Sequence, residues 1–192
     1  MRNLEVKIAV TDTKKMLEAI RRLGAVYQHA MRQQDYYFSV GEDKRKLRVI
    51  DGKEYQLVTY RRVEKLGRKD SQYTLETLGA QEAEALLAHE PVVRAVEKNR
   101  ELWMYRNTRI HLDRVEGLGD FLELETVIKD ISPKEGEKEF SAVAAWLGIN
   151  LAGSVAASYS DLIPAAKNEA APFMISTKET KGSPCHDQTI KK

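Results

Sequence analysis

Eight short stretches of this chain alternate polar and apolar residues with a period of two, and that alternation limits what it can fold into. They lie near Asn3–Val10, Asp35–Val40, Lys46–Ile50, Tyr55–Arg62, Gln72–Leu78, Val93–Trp103, Arg109–Val115 and Phe121–Ile128. Phe121-Leu122-Glu123-Leu124-Glu125 shows the rule: both glutamates share one face and both leucines the other. Asn3, Glu5 and Lys7 likewise oppose Leu4, Val6 and Ile8. Turn residues separate the stretches, and Asp51-Gly52 marks a hairpin. The expected architecture is therefore an antiparallel sheet with one polar and one apolar face.

Helical periodicity is confined to a few places. Asp12 to Leu23 places Met16, Leu17, Ile20 and Leu23 on one face and stops at Gly24. Gln81 to His89 is a shorter candidate. Ser132-Pro133-Lys134-Glu135 reads as an N-cap, a proline at the first helical position and a capping-box glutamate, opening a helix to Leu147. Ser154 is expected to cap a last short helix holding Ser158, Tyr159 and Asp161. From Ala165 onward periodicity fails, which predicts one domain over 1–164 and a disordered polar tail over 165–192.

A half-solvated sheet explains the alternation of any single strand. The distribution of charge types points further. The first and last strands carry carboxylates, Glu5 and then Glu123 and Glu125, whereas the middle strands carry Lys46, Arg48, Arg62, Lys98 and Arg100. Arg109, His111 and Asp113 share one face of their strand. About eight antiparallel strands can close into a barrel. With the apolar faces outward under the helices, the interior becomes a tunnel with a basic wall and an acidic patch. Buried like charges are costly unless compensated. A polyphosphate bound to a divalent cation compensates both, because Arg and Lys hold phosphate oxygens and carboxylates hold Mg²⁺ or Mn²⁺.

Composition narrows the remaining classes. The 192 residues are 42% hydrophobic and 31% charged, with a net charge of +2, which gives no strong pull toward nucleic acid or membrane surfaces. The basic run around Arg61-Arg62 and Lys65 to Lys69 lacks aromatic interleaving and reads as a solvated loop. One cysteine, Cys185, allows no intrachain disulfide, and no apolar run reaches the roughly 20 residues of a membrane helix, so a cytoplasmic location is expected. Gly117 and Gly119 read as turn glycines, and Tyr60, Trp103 and Tyr105 as packing aromatics before base-stacking ones. His111 has the ionisation range of a general base but is read as a wall histidine.

An ordered set of motifs resembles the CYTH family of triphosphate tunnel metalloenzymes, which joins class IV adenylate cyclases and thiamine triphosphatases. It comprises Asn3-Leu4-Glu5-Val6-Lys7, Gln34-Asp35-Tyr36-Tyr37-Phe38, Lys46-Leu47-Arg48, Gln56 to Arg62, Ser71-Gln72-Tyr73, Val96 to Arg100, Ile110 to Glu125 and Ser158 to Leu162. The long segment looks most like the class IV cyclase branch. The resemblance implies an α+β fold built on an eight-stranded antiparallel closed β-barrel, a tunnel with helices packed outside. It implies Glu5, Glu123 and Glu125 as metal ligands, with Asp113 and Asn3 as further candidates. Lys7, Lys46, Arg48, Arg62, Lys98, Arg100 and Arg109 would bind the triphosphate. The implied activity is conversion of ATP to cyclic AMP and pyrophosphate with Mg²⁺ or Mn²⁺. Hydrolysis of tripolyphosphate, thiamine triphosphate or nucleotide, and non-catalytic nucleotide or polyphosphate binding, are the alternatives. No nucleic-acid or membrane partner is expected, and mixed-charge strands leave a homodimer surface open. One departure stands out: the first glutamate of the family's Glu-x-Glu-x-Lys is Asn3 here, which offers an oxygen but no charge.

Overall fold

The computed structural model describes residues 2–39, 43–65, 68–155 and 157–163, with side chains placed except for residues 2, 43 and 60–73. Eight strands wind antiparallel: β1 (Arg2–Ala9), β2 (Val26–Tyr37), β3 (Asp43–Ile50), β4 (Glu54–Lys65), β5 (Arg68–Leu78), β6 (Arg94–Tyr105), β7 (Thr108–Val115) and β8 (Gly119–Ile128). They close in the order β1-β5-β4-β3-β2-β6-β7-β8. Closure is uneven. Among the described residues β1 meets β8 through eight residue pairs but β5 through four, whereas β4 and β5 share eleven.

Helix α1 (Thr13–Leu23) begins where the Asp12 carboxylate accepts from the Lys15 amide at 3.0 Å, and ends at Gly24, whose φ of 83° is left-handed. α2 is Ala80–His89, and α3 (Pro133–Trp146) opens on the Ser132/Glu135 capping box. Both α1 and α3 cover the outward faces of β1, β7 and β8. Leu4, Val6, Ile110, Leu112, Leu122 and Leu124 pack there against Ile20, Phe140, Val143 and Ala144. α3 approaches closely at Gly136, where a Cβ would sit 3.1 Å from Ile128 Cγ1. α2 covers a smaller outward cluster of Leu47, Val49 and Tyr55 around Ala83. The apolar faces therefore point out, as the alternation predicts, and the charged faces point in.

Several boundaries differ from the expectation. β3, β4 and β5 each run three or four residues further, so Arg61, Arg62, Lys65, Arg68 and Lys69 of the basic stretch expected as a loop lie in strands. Two differences are larger. β2 starts at Val26, nine residues before the expected Asp35. Its first half has five exposed positions in a row and a register shift between Tyr27 and His29, so neither face carries an apolar signal. At the other end of the chain, Ser154 follows a 3₁₀ turn (Leu151–Gly153) that Asn150 caps. The last helix, α4 (Tyr159–Leu162), is capped by Ser158 instead. Cys185 and the tail from residue 164 lie outside the described residues.

Candidate functional site

Antiparallel pairing brings strands distant in sequence into register across the interior. Glu5 stands opposite Glu125, Lys7 opposite Glu123, and those two glutamates stand opposite Arg109 and His111 on β7. On the other wall Asp35 stands opposite Arg48, and Tyr37 opposite Lys46. Each strand supplies these groups at alternate positions because only those side chains point inward.

The interior charges are largely paired with one another. Asp35 accepts from Lys46 Nζ at 2.6 Å and from Arg48 Nε and Nη2 at 2.8 and 3.2 Å. Burial alone would raise its carboxyl, but the Arg48 guanidinium and Lys46 ammonium hold it well below the usual carboxylate range. Lys46 in turn is pushed well below the usual lysine range, by burial first and then by Arg48 beside it. Gln33 completes the group: its amide oxygen, turned to satisfy both partners, lies 2.8 Å from Arg48 Nη2.

A second cluster centres on Asp113. It accepts from Arg100 Nε and Nη2 at 2.6 and 2.5 Å, from Lys98 Nζ at 3.2 Å and from the Tyr159 hydroxyl at 2.9 Å. Burial opposes its ionisation, yet Arg100 and Lys98 bring its pKa to about 2. Lys98 is lowered to about 8 by burial and by Arg100. Glu123 pairs with Lys7 at 3.0 Å and with Arg100. His111, whose Nδ1 is 3.9 Å from Glu123, has its pKa lowered by burial and by the Arg100 charge.

Part of the interior is open. A cavity of about 400 Å³ is lined by Glu5, Glu125, Arg109 and His111 on one side and by Lys46, Arg48 and Arg100 on the other. Met31, Ile50, Leu75 and Leu102 line the same space. Basic, acidic and apolar walls thus meet in one volume, which lies in the range of about 300–1,000 Å³ usual for small-molecule sites.

The oxygen donors suit a hard divalent cation in part. Glu5 and Glu125 face each other across β1 and β8, and Asn3 donates its amide N–H to Glu125. The Asn3 Oδ1 is fully buried and has no hydrogen-bond partner among the described residues, which is the condition that a cation or an ordered water relieves. Among the described residues no three His, Cys, Asp or Glu side chains gather tightly enough to form a complete cluster. Asp113 pairs with Lys98, Arg100 and the Tyr159 hydroxyl, Glu123 with Lys7 and Arg100, and Glu125 with Arg109 at 3.2 Å. Glu5 and Glu125, which line the cavity, and the buried Asn3 Oδ1 are the donors that a cation on that side would meet.

The sequence-predicted residues therefore fall into groups. Glu5, Glu125, Lys46, Arg48, Arg100 and Arg109 come together around the cavity. Lys7, Lys98, Asp113 and Glu123 form a buried ionic layer that reaches this cavity through Arg100. The Arg62 and Tyr60 side chains lie outside the described residues. Trp103 and Tyr105 pack in or against the outward core, away from the tunnel. Three groups escaped the sequence reading: Asp35 as the partner of the basic wall, Lys44, and Tyr159. The first two share inward parity with Lys46, which is the signal that identifies them.

The sequence profile of the CYTH domain matches residues 1–159. The chain belongs to the CYTH family. A candidate adenylate cyclase from Methanocaldococcus jannaschii is 27% identical over 84% of this chain and 98% of its own. A Pyrococcus horikoshii protein of solved structure superposes with a TM-score of 0.74 at 24% identity, over 84% of this chain and 99% of the other. A Hippeastrum adenylyl cyclase candidate, reported to have a dominant triphosphatase activity, superposes with a TM-score of 0.63 at 13% identity, over 83% and 94%. CYTH proteins act on triphosphates, and membership implies dependence on a divalent metal. Among the described residues no helix is long and apolar enough to cross a membrane.

Proposed function

We propose that this chain is a divalent-metal-dependent enzyme acting on ATP, with class IV cyclase chemistry. The observation that carries the reading is the single cavity in which Lys46, Arg48 and Arg100 face Glu5 and Glu125 beside an apolar strip. The cations suit a triphosphate. The strip of Met31, Ile50, Leu75 and Leu102 would stay uncovered by inorganic tripolyphosphate, whereas a nucleoside covers it.

Charge balance supports the metal requirement. Among the described residues the inward carboxylates Glu5, Asp35, Asp113, Glu123 and Glu125 nearly cancel Lys7, Lys46, Arg48, Lys98, Arg100 and Arg109. These described groups thus offer a bare tetra-anion little net positive charge, and an accompanying cation would offset the remainder. Glu5, Glu125 and Asn3 would hold Mg²⁺ or Mn²⁺, which supplies charge neutralisation and a lowered pKa for the attacking hydroxyl.

In the cyclase reaction the ribose 3′-oxygen bonds to the α-phosphorus, the bond from that phosphorus to the β-bridging oxygen breaks, and the 3′-hydroxyl proton leaves to solvent. Negative charge grows on the departing pyrophosphate. Arg48 and Arg100, held by Asp35 and Asp113, are positioned to stabilise it without rearrangement.

Phosphorus NMR of ATP incubated with the purified protein and Mn²⁺ tests the reading. Cyclic AMP with pyrophosphate is the expected product pair. ADP with orthophosphate would replace cyclisation by hydrolysis, and unchanged ATP together with unchanged tripolyphosphate would reduce the chain to a binder.

A further inference from the structure

A short C-terminal turn outside the barrel strands reaches into the ionic layer. Tyr159, the first residue of α4, is 5% exposed and packs edge-on against Phe121 at 5.1 Å. Its hydroxyl donates to Asp113 at 2.9 Å. Lys7 Nζ lies over the ring at 3.6 Å from its centroid, and Lys98 Nζ at 4.9 Å. The same phenol thus contacts the carboxylate that grips Arg100 and both lysines of the layer.

The turn is fastened independently of Tyr159. Lys44, an inward residue of β3 only 3% exposed, donates to Asp161 at 2.6 and 2.7 Å, to Ser160 at 3.4 Å and to Ser158. Asp161 closes back on the Ser158 amide at 2.9 Å, and the Val155 amide binds the Lys7 carbonyl at 2.8 Å. A buried lysine is thus spent on docking four residues, more than the packing of one aromatic ring requires.

A phenylalanine would fill the same space against Phe121. What it lacks is the hydroxyl directed at Asp113, which already carries a two-pronged arginine and a lysine. The ring has a second role. A further carboxylate beside Lys7 and Lys98 would hold them and also cancel them. Lys7 and Lys98 already pair with Glu123 and Asp113, and the neutral π face attracts both ammonium groups without adding another negative charge beside them.

We propose that Tyr159 is a positioning residue of the triphosphate site, fixing the Arg100 guanidinium through Asp113 and holding the Lys7 and Lys98 ammonium groups in place beneath the cavity. This rests on the triphosphate reading above. The docked C-terminal turn is then part of the binding site, although it contributes no atom to the cavity wall described here.

Calorimetric titration of inorganic tripolyphosphate with Mg²⁺ into the wild type, Tyr159→Phe and Tyr159→Leu tests it, alongside thermal melts of the same proteins. Tyr159→Phe loses the hydroxyl only, and its dissociation constant should rise about three- to tenfold with little change in melting temperature. Tyr159→Leu loses the π face as well and should weaken binding further. Side-chain ammonium NMR should show the Lys7 and Lys98 resonances shifted in both. A merely structural tyrosine would lower the melting temperature and leave affinity and lysine resonances alone. Wild-type binding with both variants within about twofold of it overturns the positioning role and leaves the triphosphate reading standing. Absence of tripolyphosphate binding in the wild type, with ATP also unbound, overturns both. If Tyr159→Leu fails to fold, Tyr159→Phe alone decides.

Discussion

Replacing Asp35 with asparagine separates the cost of the basic wall from its use. Asp35 is buried and takes three charge-assisted hydrogen bonds from Lys46 and Arg48. Asparagine keeps the volume and removes the charge, leaving two neighbouring cations with no carboxylate between them. Breaking a buried pair from one side costs about 3–5 kcal/mol. The lower end applies here, because Lys46 already has a strongly depressed pKa and escapes part of the repulsion by losing its proton. For a chain of this length, about 3 kcal/mol corresponds to a fall of roughly 6–12 °C in melting temperature. A bound triphosphate supplies the missing negative charge, so ligand should raise the variant's melting temperature more than the wild type's. Circular-dichroism melts at pH 7, with and without tripolyphosphate and Mg²⁺, read both numbers. A variant melting within about 2 °C of wild type, or an equal ligand-induced rise in the two proteins, would refute the reasoning.

Glu125→Gln should abolish turnover and weaken Mg²⁺ binding at least tenfold with the fold retained, and unchanged activity by phosphorus NMR would remove Glu125 from the metal site. Asn3→Glu adds a carboxylate beside Glu5 and Glu125; Mg²⁺ should then bind more tightly by calorimetry, and an unaltered titration would place position 3 away from the metal. Acid should unfold the protein steeply. Asp113 and Asp161 have pKa values of about 2, and Asp35 and Glu123 also lie below the usual range. Unfolded carboxylates titrate near about 4, so the unfolded chain binds more protons and stability falls as pH drops from about 4 to about 2. A melting temperature unchanged from pH 5 to pH 3 would contradict this.

Strand parity made the inward and outward faces readable because period-two alternation survives any packing that buries one face. It identified Glu5, Glu125, Arg48 and Arg100 as neighbours in kind. The separation of these cavity groups from the deeper layer of Lys7, Lys98, Asp113 and Glu123 depends on strand tilt and register between β6, β7 and β8, which no single strand encodes. β2 was half hidden because its early residues are exposed on both faces. Lys44 was overlooked because a lysine at the end of a strand resembles a solvated terminus; only the tertiary structure brings Asp161, 117 positions later, to meet it. Tyr159 carries no local signal for the same reason.

The pairing of Asn3 with Glu125 spans 122 positions of sequence. A ribosome must therefore finish β8 before the acidic half of the site exists at all, and α4 emerges later still. Until then β1 waits without its main neighbour, since its other edge offers four pairs among the described residues. Long-range closure of this kind is slow and leaves hydrophobic strand faces exposed meanwhile. The last staves to lock are those that would carry the metal, so ligand arriving on the newborn chain would act as the hoop that draws the barrel shut.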